Sequence, residues 1–196
     1  TLDSWAERLW RRPIADAERE RTLSVAQGAI STLGDFDEGL RYGMMAILAS
    51  PNFVYTHAGR GDSEAVRPYT GFEMAERLAL FLWASGPDQA LLDAAGAGEL
   101  DDVEALRPLV QAMLADPRAK RGLRAFASDW LGLDGVDLLQ KDGVHYVHYN
   151  SEFGSLAKEE TLRLIEHIVF DQDTDFRTLM TTRTTFVDRR LAAVYG

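Results

Sequence analysis

The sequence predicts an all-α fold, a multi-helix orthogonal bundle with a small N-terminal helical hairpin unit. Apolar residues recur at three- and four-residue spacing along most of the chain, which is the period of an α-helix. Helix-capping residues and helix-ending Gly and Pro divide this pattern into segments of helical length. No segment of useful length alternates with the two-residue period of a strand, so a sheet is not expected.

The first part of the chain predicts the helical hairpin. A short apolar helix ends before Pro13, because proline interrupts a helix. The next helix covers roughly residues 16–33, and Gly34 follows it where a left-handed residue commonly ends a helix. Asp35 and Glu38 form a capping box that begins the third helix. Because the loop between the second and third helices is so short, the two helices are expected to be antiparallel.

A change in composition separates this hairpin from the rest of the chain. Residues 59–68 are rich in glycine and charged side chains and include a proline, as linkers commonly do. The sequence therefore predicts a small helical N-terminal unit over residues 1–58, a linker over 59–68 and a main helical domain over 69–196. Neither an internal repeat nor a low-complexity tract is recognised.

The main domain is predicted to contain several helices with apolar faces. Thr70 and Glu73 form a capping box at the start of the first, and its large apolar side chains predict burial nearly all round. Asp102, Asp116 and Ser155 are placed to cap three later helices. The apolar stripes that predict core positions in this region include Leu78, Phe81, Leu82, Leu123, Phe126, Ala127, Trp130, Leu131, Leu162 and Ile165.

The composition limits the functions that the chain can have. It contains 21 Lys and Arg against 31 Asp and Glu, a net charge of −10, so no nucleic-acid partner is expected. The lack of cysteine excludes disulfides, thiolate metal sites and covalent c-type haem attachment within the chain. No apolar run approaches the ~20 residues of a transmembrane helix, so no transmembrane segment is predicted.

Several stretches, in the order in which they occur, are similar to a known pair of families. They are WRRP at 10–13, GLRYGMMAILASPNFVY at 39–55, EMAERLALFLWASGPDQALLDAA at 73–95, LADPRAKRGLRAFASDWLGLDGVD at 114–137, EETLRLIEHIV at 159–169 and FVDRRLAAVYG at 186–196. Together they resemble domain-of-unknown-function family 1592, preceded by its usual small companion, family 1595. The companion corresponds to roughly residues 1–58 and the main family to roughly 69–196.

This resemblance implies an extracytoplasmic location, in large secreted or lipid-anchored proteins of planctomycetes and myxobacteria that often also carry a c-type cytochrome domain. It implies neighbouring domains or subunits of the same protein or complex as partners. No cofactor is expected within this chain, and a c-type haem would belong to adjacent domains. The resemblance carries over no reaction and no catalytic residues. Ala15 stands where relatives often have a Thr or Ser cap, which predicts a helix start weaker by ~1 kcal/mol.

One loop of the main domain contains the most suggestive group of polar side chains. His145 and His148 are three residues apart, and two imidazoles at this spacing can share a metal ion if the segment forms a helical turn. The carboxylates of Asp142 and Glu152 can complete such a ligand set. Glycines on both sides favour a loop instead, in which the histidines contribute to an interface or bond locally. Both interpretations stay open.

The last long helix carries a second candidate. Glu160 and His167 are seven residues apart and share a face, which suits an acid–base pair or a proton relay. Glu159 and Glu166 share the neighbouring face. The three-residue Glu–His spacing of di-iron bundles is missing, so a buried histidine bonded to a carboxylate is favoured over a metal ligand. Arg124, beside another apolar helix face, is expected to form a partly buried ion pair or to bind an anion.

The favoured function is non-catalytic, a helical structural and interaction module of a larger, redox-associated protein. The alternative is part of an oxidoreductase active site, in which His145, His148 or His167 contributes ligands or proton relays to a haem or metal held with a neighbouring domain. A polysaccharide-binding module is a third hypothesis, suggested by Tyr146, Tyr149 and the tryptophans. It requires exposed aromatic rings, whereas the spacing of the tryptophans predicts core positions. Whether the chain is an enzyme stays open.

Overall fold

The structure is a computed structural model that describes residues 1–56, 67–142, 144–146 and 149–195. The chain is 71% helical, and no strand occurs among the described residues, so the all-α prediction is confirmed. Within the same residues, no helix is both long enough and apolar enough to cross a membrane. The helices are α1 Leu2–Trp10, α2 Asp16–Leu33, α3 Phe36–Leu48, α4 Pro51–Val54, α5 Gly71–Trp83, α6 Gln89–Gly96, α7 Val103–Ala115, α8 Arg118–Leu131, α9 Phe153–Glu166 and α10 Arg189–Tyr195. Short 3₁₀ helices cover Leu133–Leu138 and Phe176–Met180, and a π-helical turn covers His167–Asp171.

The chain packs into two compact units. The first comprises Thr1–Phe81 with Ser85–Met113, and the second comprises Leu82–Ala84 with Leu114–Gly196. The first unit therefore contains helices from both sides of the predicted linker. Of that linker, residues 59–66 lie outside the described part of the chain. The predicted division into residues 1–58 and 69–196 stays a prediction.

The hairpin of α2 and α3 has the predicted connection. Gly34 adopts a left-handed conformation with φ of 70° and ends α2. The Asp35 carboxylate accepts hydrogen bonds from two backbone N–H groups in the first turn of α3. At Gly39 the two helices approach so closely that an added Cβ would lie 2.2 Å from Ile30 Cγ1. The core beside this hairpin consists of Leu2, Ala6, Trp10, Ile14, Ala26 and Ile47.

Helix α5 is not buried nearly all round, so that prediction is wrong. Phe81, expected in the core, is 79% exposed. The buried side of the helix consists of Ala75 and Ala79, both fully covered, together with Glu76 and Trp83. Small side chains let a helix approach its neighbours closely, so the side with Ala75 and Ala79 packs and the side with Phe81 faces solvent. An apolar period does not reveal which of the two sides that will be.

In the second unit, the predicted core positions of helix α8 are also partly wrong. Ala127 is buried as expected, whereas Phe126, Trp130 and Leu131 are 57%, 48% and 42% exposed. Small residues again carry the packing, and an added Cβ at Gly122 would lie only 2.0 Å from the backbone oxygen of residue 82. The core of this unit consists of Ala127, Leu133, Leu162 and Ile165.

The start of α9 also differs from the prediction. The helix begins at Phe153, two residues before Ser155, which was expected to be its cap. The Ser155 hydroxyl instead donates to the Glu152 backbone oxygen at 2.8 Å. It therefore bonds back to the preceding turn instead of accepting from a free N–H group, which is what a cap does.

Candidate functional site

The predicted histidine loop is only partly described. His145 Nδ1 lies 2.7 Å from Asp142 Oδ2, and the imidazole is 76% exposed. Hydrogen bonds from the Val144 backbone N–H and from His145 lower the pKa of Asp142. His148 lies outside the described residues, so its pairing with His145 at a metal stays a prediction. Among the residues that the structure describes, no three His, Asp or Glu side chains come together as a metal-binding group.

Glu160 has two hydroxyl partners from the C-terminal part of the chain. The Tyr195 hydroxyl donates to Glu160 Oε2 at 2.7 Å, and the Thr185 hydroxyl donates to Oε1. The bond to the Glu160 carboxylate, with burial, raises the pKa of Tyr195 to about 12. Both carboxylate oxygens are therefore occupied by contacts that tie the C-terminal segment to α9.

His167 has a different partner from Glu160. Its Nδ1 lies 3.2 Å from Asp171 Oδ2, one turn further along the chain. The ring also contacts Phe186 edge-on, with centroids 5.1 Å apart. The His167 hydrogen bond and then the Lys120 ammonium lower the pKa of Asp171. The acid–base role of Glu160 and His167 stays a prediction, although their observed contacts are made to separate groups.

A network of ion pairs joins α8 to α9. Arg124 contacts the Glu159 carboxylate with one terminal nitrogen, and its other lies 3.2 Å from Glu166 Oε2. Lys120 Nζ lies 3.1 Å from Glu166 Oε1 and 3.4 Å from Asp171 Oδ1. The ion pair predicted for Arg124 is confirmed. Arg163 Nε lies 2.8 Å from Glu159 Oε1, so three cations stand among three carboxylates, and charges that could act on a substrate neutralise one another instead.

A second group of charged side chains lies at the start of helix α2. Arg12 donates to both carboxylate oxygens of Glu18, at 3.0 and 2.7 Å. The Ala15 backbone N–H donates to the same carboxylate at 3.0 Å, and Asn52 Nδ2 does so at 2.8 Å. The Arg12 hydrogen bonds, with smaller help from Ala15 and Asn52, lower the pKa of Glu18 to about 2. Glu18 therefore satisfies the helix start that Ala15 cannot cap with its own side chain.

The start of helix α5 has the same arrangement of an arginine, a glutamate and a backbone N–H group. Arg67 donates to both oxygens of Glu73, at 2.8 and 2.7 Å, and the Thr70 backbone N–H donates to Glu73 at 2.8 Å. The Thr70 hydroxyl accepts from the Glu73 N–H at 3.3 Å, so the predicted capping box is confirmed. Arg67 holds the pKa of Glu73 at about 2. Both helices thus begin with an Arg-Pro-x-x-x-x-Glu motif, a short repeat that the sequence analysis did not recognise.

A buried ion pair lies between the two motifs. Arg11 Nε is 2.6 Å from Glu76 Oε1, and the two side chains are 14% and 7% exposed. The geometry is not that of a hydrogen bond, so the attraction is coulombic. Arg11 has φ of 59°, which ends α1 in a left-handed turn. Its Nη2 also donates to the backbone oxygens at the end of α4, those of Asn52, Phe53 and Tyr55, at 3.1 to 3.4 Å.

A cavity of about 340 Å³ adjoins this ion pair in the first unit. Its charged lining groups already have partners, since Arg11 pairs with Glu76 across the lining and Arg12 and Glu73 pair with Glu18 and Arg67 beside it. Such pairing suits a cavity that positions helices better than one that binds a charged ligand. The lining consists of Trp10, Arg11, Arg12, Pro13, Thr70, Phe72, Glu73 and Glu76.

Two family models match the chain. One, described as PSD4, protein of unknown function (DUF1592), matches residues 69–196. The chain belongs to the DUF1592 family. The other, described as PSD5, protein of unknown function (DUF1595), matches residues 1–57, so the order of the two families inferred from the motifs is confirmed. No curated protein and no solved structure matches the chain.

Sequence reasoning missed two of these features for different reasons. The repeated motif could have been found by comparing the residues before α2 and α5, since Arg-Pro precedes a helical Glu at the same distance in both. No local pattern marks the pair of Arg11 and Glu76. Their contact depends on how α1 and α5 pack, which periodicity does not specify.

Proposed function

We propose that this DUF1592 chain is a helical structural and interaction module of a larger extracytoplasmic, redox-associated bacterial protein. Its partners would be neighbouring domains or subunits of that protein. The extracytoplasmic and redox context comes from the family resemblance of the sequence, and the module role comes from the arrangement of the side chains.

The module role rests on one observation. The side chains that could act as bases, acids or metal ligands are already bound to one another. Arg124 forms ion pairs with Glu159 and Glu166, and hydroxyl groups donate to both oxygens of Glu160. A general base or metal ligand needs a lone pair directed at the substrate or the ion. Carboxylates bound in this way stabilise helix packing instead, which supports a non-catalytic role.

A second observation supports docking. Tyr42, Met45 and Leu48 recur every three residues on α3 and are 42%, 56% and 40% exposed. Met45 lies on the side of the helix opposite to the buried Gly39 and Ile47, and Tyr42 and Leu48 lie on either side of Met45. A continuous stripe of large apolar side chains on a surface is typical of an interface. We assign it to a neighbouring domain of the same protein and call it the α3 stripe.

The oxidoreductase hypothesis is retained as the second candidate because of His145. Its imidazole is exposed and bonded through Nδ1 to the Asp142 carboxylate, which leaves Nε2 directed elsewhere. A carboxylate that orients an imidazole in this way is common behind metal-bound histidines. In this alternative His145 and His148 would ligate a metal or haem held with a neighbouring domain.

Metal and haem content of the full-length protein separates the two candidates. We would measure it by elemental analysis and absorption spectroscopy in the wild type, in His145→Ala/His148→Ala and in His167→Ala. Lys141→Ala, an exposed change in the same loop, is the matched control. The module hypothesis predicts that content and spectrum are the same in all four proteins. Loss of metal or a shifted haem spectrum in a histidine variant alone would instead place this chain at a redox site.

A further inference from the structure

The solvent side of helix α5 borders a groove of about 610 Å³ in the first unit. Its apolar lining comes from Met74, Leu78 and Phe81, which recur at helical spacing and share one side of α5, and from Tyr69 and Leu80. Pockets of this size and apolar character commonly hold small organic ligands, which a few polar groups orient. We call it the α5 groove.

Arg77 brings a positive charge to the α5 groove. Among the described residues no carboxylate pairs with it, whereas Arg12 and Arg67 in the same unit are bound by glutamates. Its guanidinium carbon lies 4.4 Å from the centre of the Tyr69 ring. An aromatic face attracts and positions a guanidinium but leaves the N–H donors at its edge unbound. The groove therefore combines a positioned cation with an apolar surface.

The lining also includes the carboxylate of Glu76, whose charge is already balanced. Its Oε1 lies 2.6 Å from Arg11 Nε, and both side chains are almost covered. Arg77 therefore supplies the charge of the groove that has no counter-charge. The net charge of −10 makes the chain as a whole repel anions, so the surface around this arginine is a local exception.

We propose that the α5 groove binds the anion of a medium-chain fatty acid, with the carboxylate on Arg77 and the alkyl chain along α5. A guanidinium donates two parallel N–H bonds to one carboxylate, which fits a single anionic head group. Tyr69 precedes the helix, so the guanidinium on its ring lies near the start of α5. From Met74 to Phe81 the helix rises by about 10 Å, which matches a chain of about eight carbons.

Charge and length select this ligand from other small molecules. A phosphate head group would bring a second negative charge, which the single arginine of the described lining does not balance. A neutral alcohol would leave the charge of Arg77 without a partner, and a short carboxylate such as acetate would not cover Leu78 and Phe81. The proposal goes beyond the module role, because that role assigns a neighbouring domain to the α3 stripe and no small molecule to α5.

Titration with sodium octanoate below its micelle concentration tests the proposal. We would follow binding to the chain by isothermal calorimetry, with octanol as the neutral ligand of the same length. Octanoate should bind once per chain and more tightly than octanol. Arg77→Gln should weaken octanoate binding by about tenfold and leave octanol binding unchanged, whereas Phe81→Ala should weaken both. Arg21→Gln is the matched control, since Arg21 is an exposed arginine on α2 in the same unit.

Three results would overturn the proposal. They are no saturable binding of octanoate by a wild-type chain with native helical circular dichroism, equal weakening by Arg21→Gln and Arg77→Gln, and binding of octanol as tight as that of octanoate. Unchanged binding of both ligands in Phe81→Ala would also overturn it, because the alkyl chain would then lie elsewhere. Arg77 and Phe81 are both exposed, so their replacement should leave the fold intact, and circular dichroism of each variant checks this.

Discussion

Arg11 and Glu76 form a buried ion pair that links helix α1 to helix α5, with 2.6 Å between Nε and Oε1. Arg11 also binds three backbone oxygens at the end of α4. One guanidinium thus contacts the residues that follow the helical hairpin and a helix beyond the predicted linker. Because both side chains are almost covered, losing either partner leaves a buried charge without its counter-charge.

Glu76→Gln should therefore destabilise the chain by about 3 kcal/mol in urea unfolding. Arg11→Met should cost at least as much, since it also removes the bonds to α4. The double variant should be less destabilised than the sum of the two, by about 1 kcal/mol or more. The control pair is Glu38 and Arg41, which is much more exposed and should contribute less than about 1 kcal/mol. Additive effects at Arg11 and Glu76 would show that the two charges are not coupled.

The Arg-Pro-x-x-x-x-Glu motifs predict a pH dependence. Because the pKa of Glu18 is lowered from 4.5 to about 2, its ionised form stabilises the folded chain at every pH above about 4.5. That contribution, about 2 kcal/mol after allowance for partial solvent exposure, is lost as the pH falls from about 4.5 to about 2. The same sign applies to Glu73, whose pKa is also about 2.

Unfolding by urea from pH 7 to pH 2 measures this effect. Glu18→Gln should be less stable than the wild type at pH 7, and the difference should shrink towards zero at pH 2. Glu104→Gln, at an exposed position, is the control and should match the wild type throughout. A difference at Glu18 that stays constant over this range would contradict the assigned pKa, since it would not depend on ionisation.

Close backbone contact at Gly122 predicts a strong effect of a single methyl group. In Gly122→Ala the new Cβ would lie 2.0 Å from the backbone oxygen of residue 82, so the helix has to move. We expect a loss of about 3 kcal/mol in unfolding free energy. Gly28→Ala is the control, because nothing lies within 4 Å of its Cβ and alanine favours a helix by up to ~1 kcal/mol. A neutral Gly122→Ala would refute the contact.

Local patterns predict the helices well because their causes are local. Gly34 and Asp35 act on backbone groups within a few residues, and the observed α2–α3 connection follows. Local patterns predict less well which side of each helix is buried. Phe81, Phe126 and Trp130 fit the apolar period but face solvent, since alanines and glycines on the other side permit closer packing.

At the candidate site, too, some contacts could be predicted from the sequence and others could not. The ion pair of Arg124 could be anticipated, because an arginine beside an apolar face needs a partner. Its partners Glu159 and Glu166 were visible in sequence as carboxylates sharing one face of α9. The contacts of Glu160 with Thr185 and Tyr195 could not be anticipated, since they depend on the path of the segment after α9.

Hydroxyl-radical footprinting of the α3 stripe tests the module role most directly. Oxidation of Met45 and Tyr42 would be compared between this chain alone and the full-length protein, with Met180, 69% exposed in the second unit, as the matched methionine. A docked stripe predicts several-fold slower oxidation of Met45 and Tyr42 in the full-length protein and an unchanged rate at Met180. Equal oxidation of Met45 in both proteins would contradict the docking role.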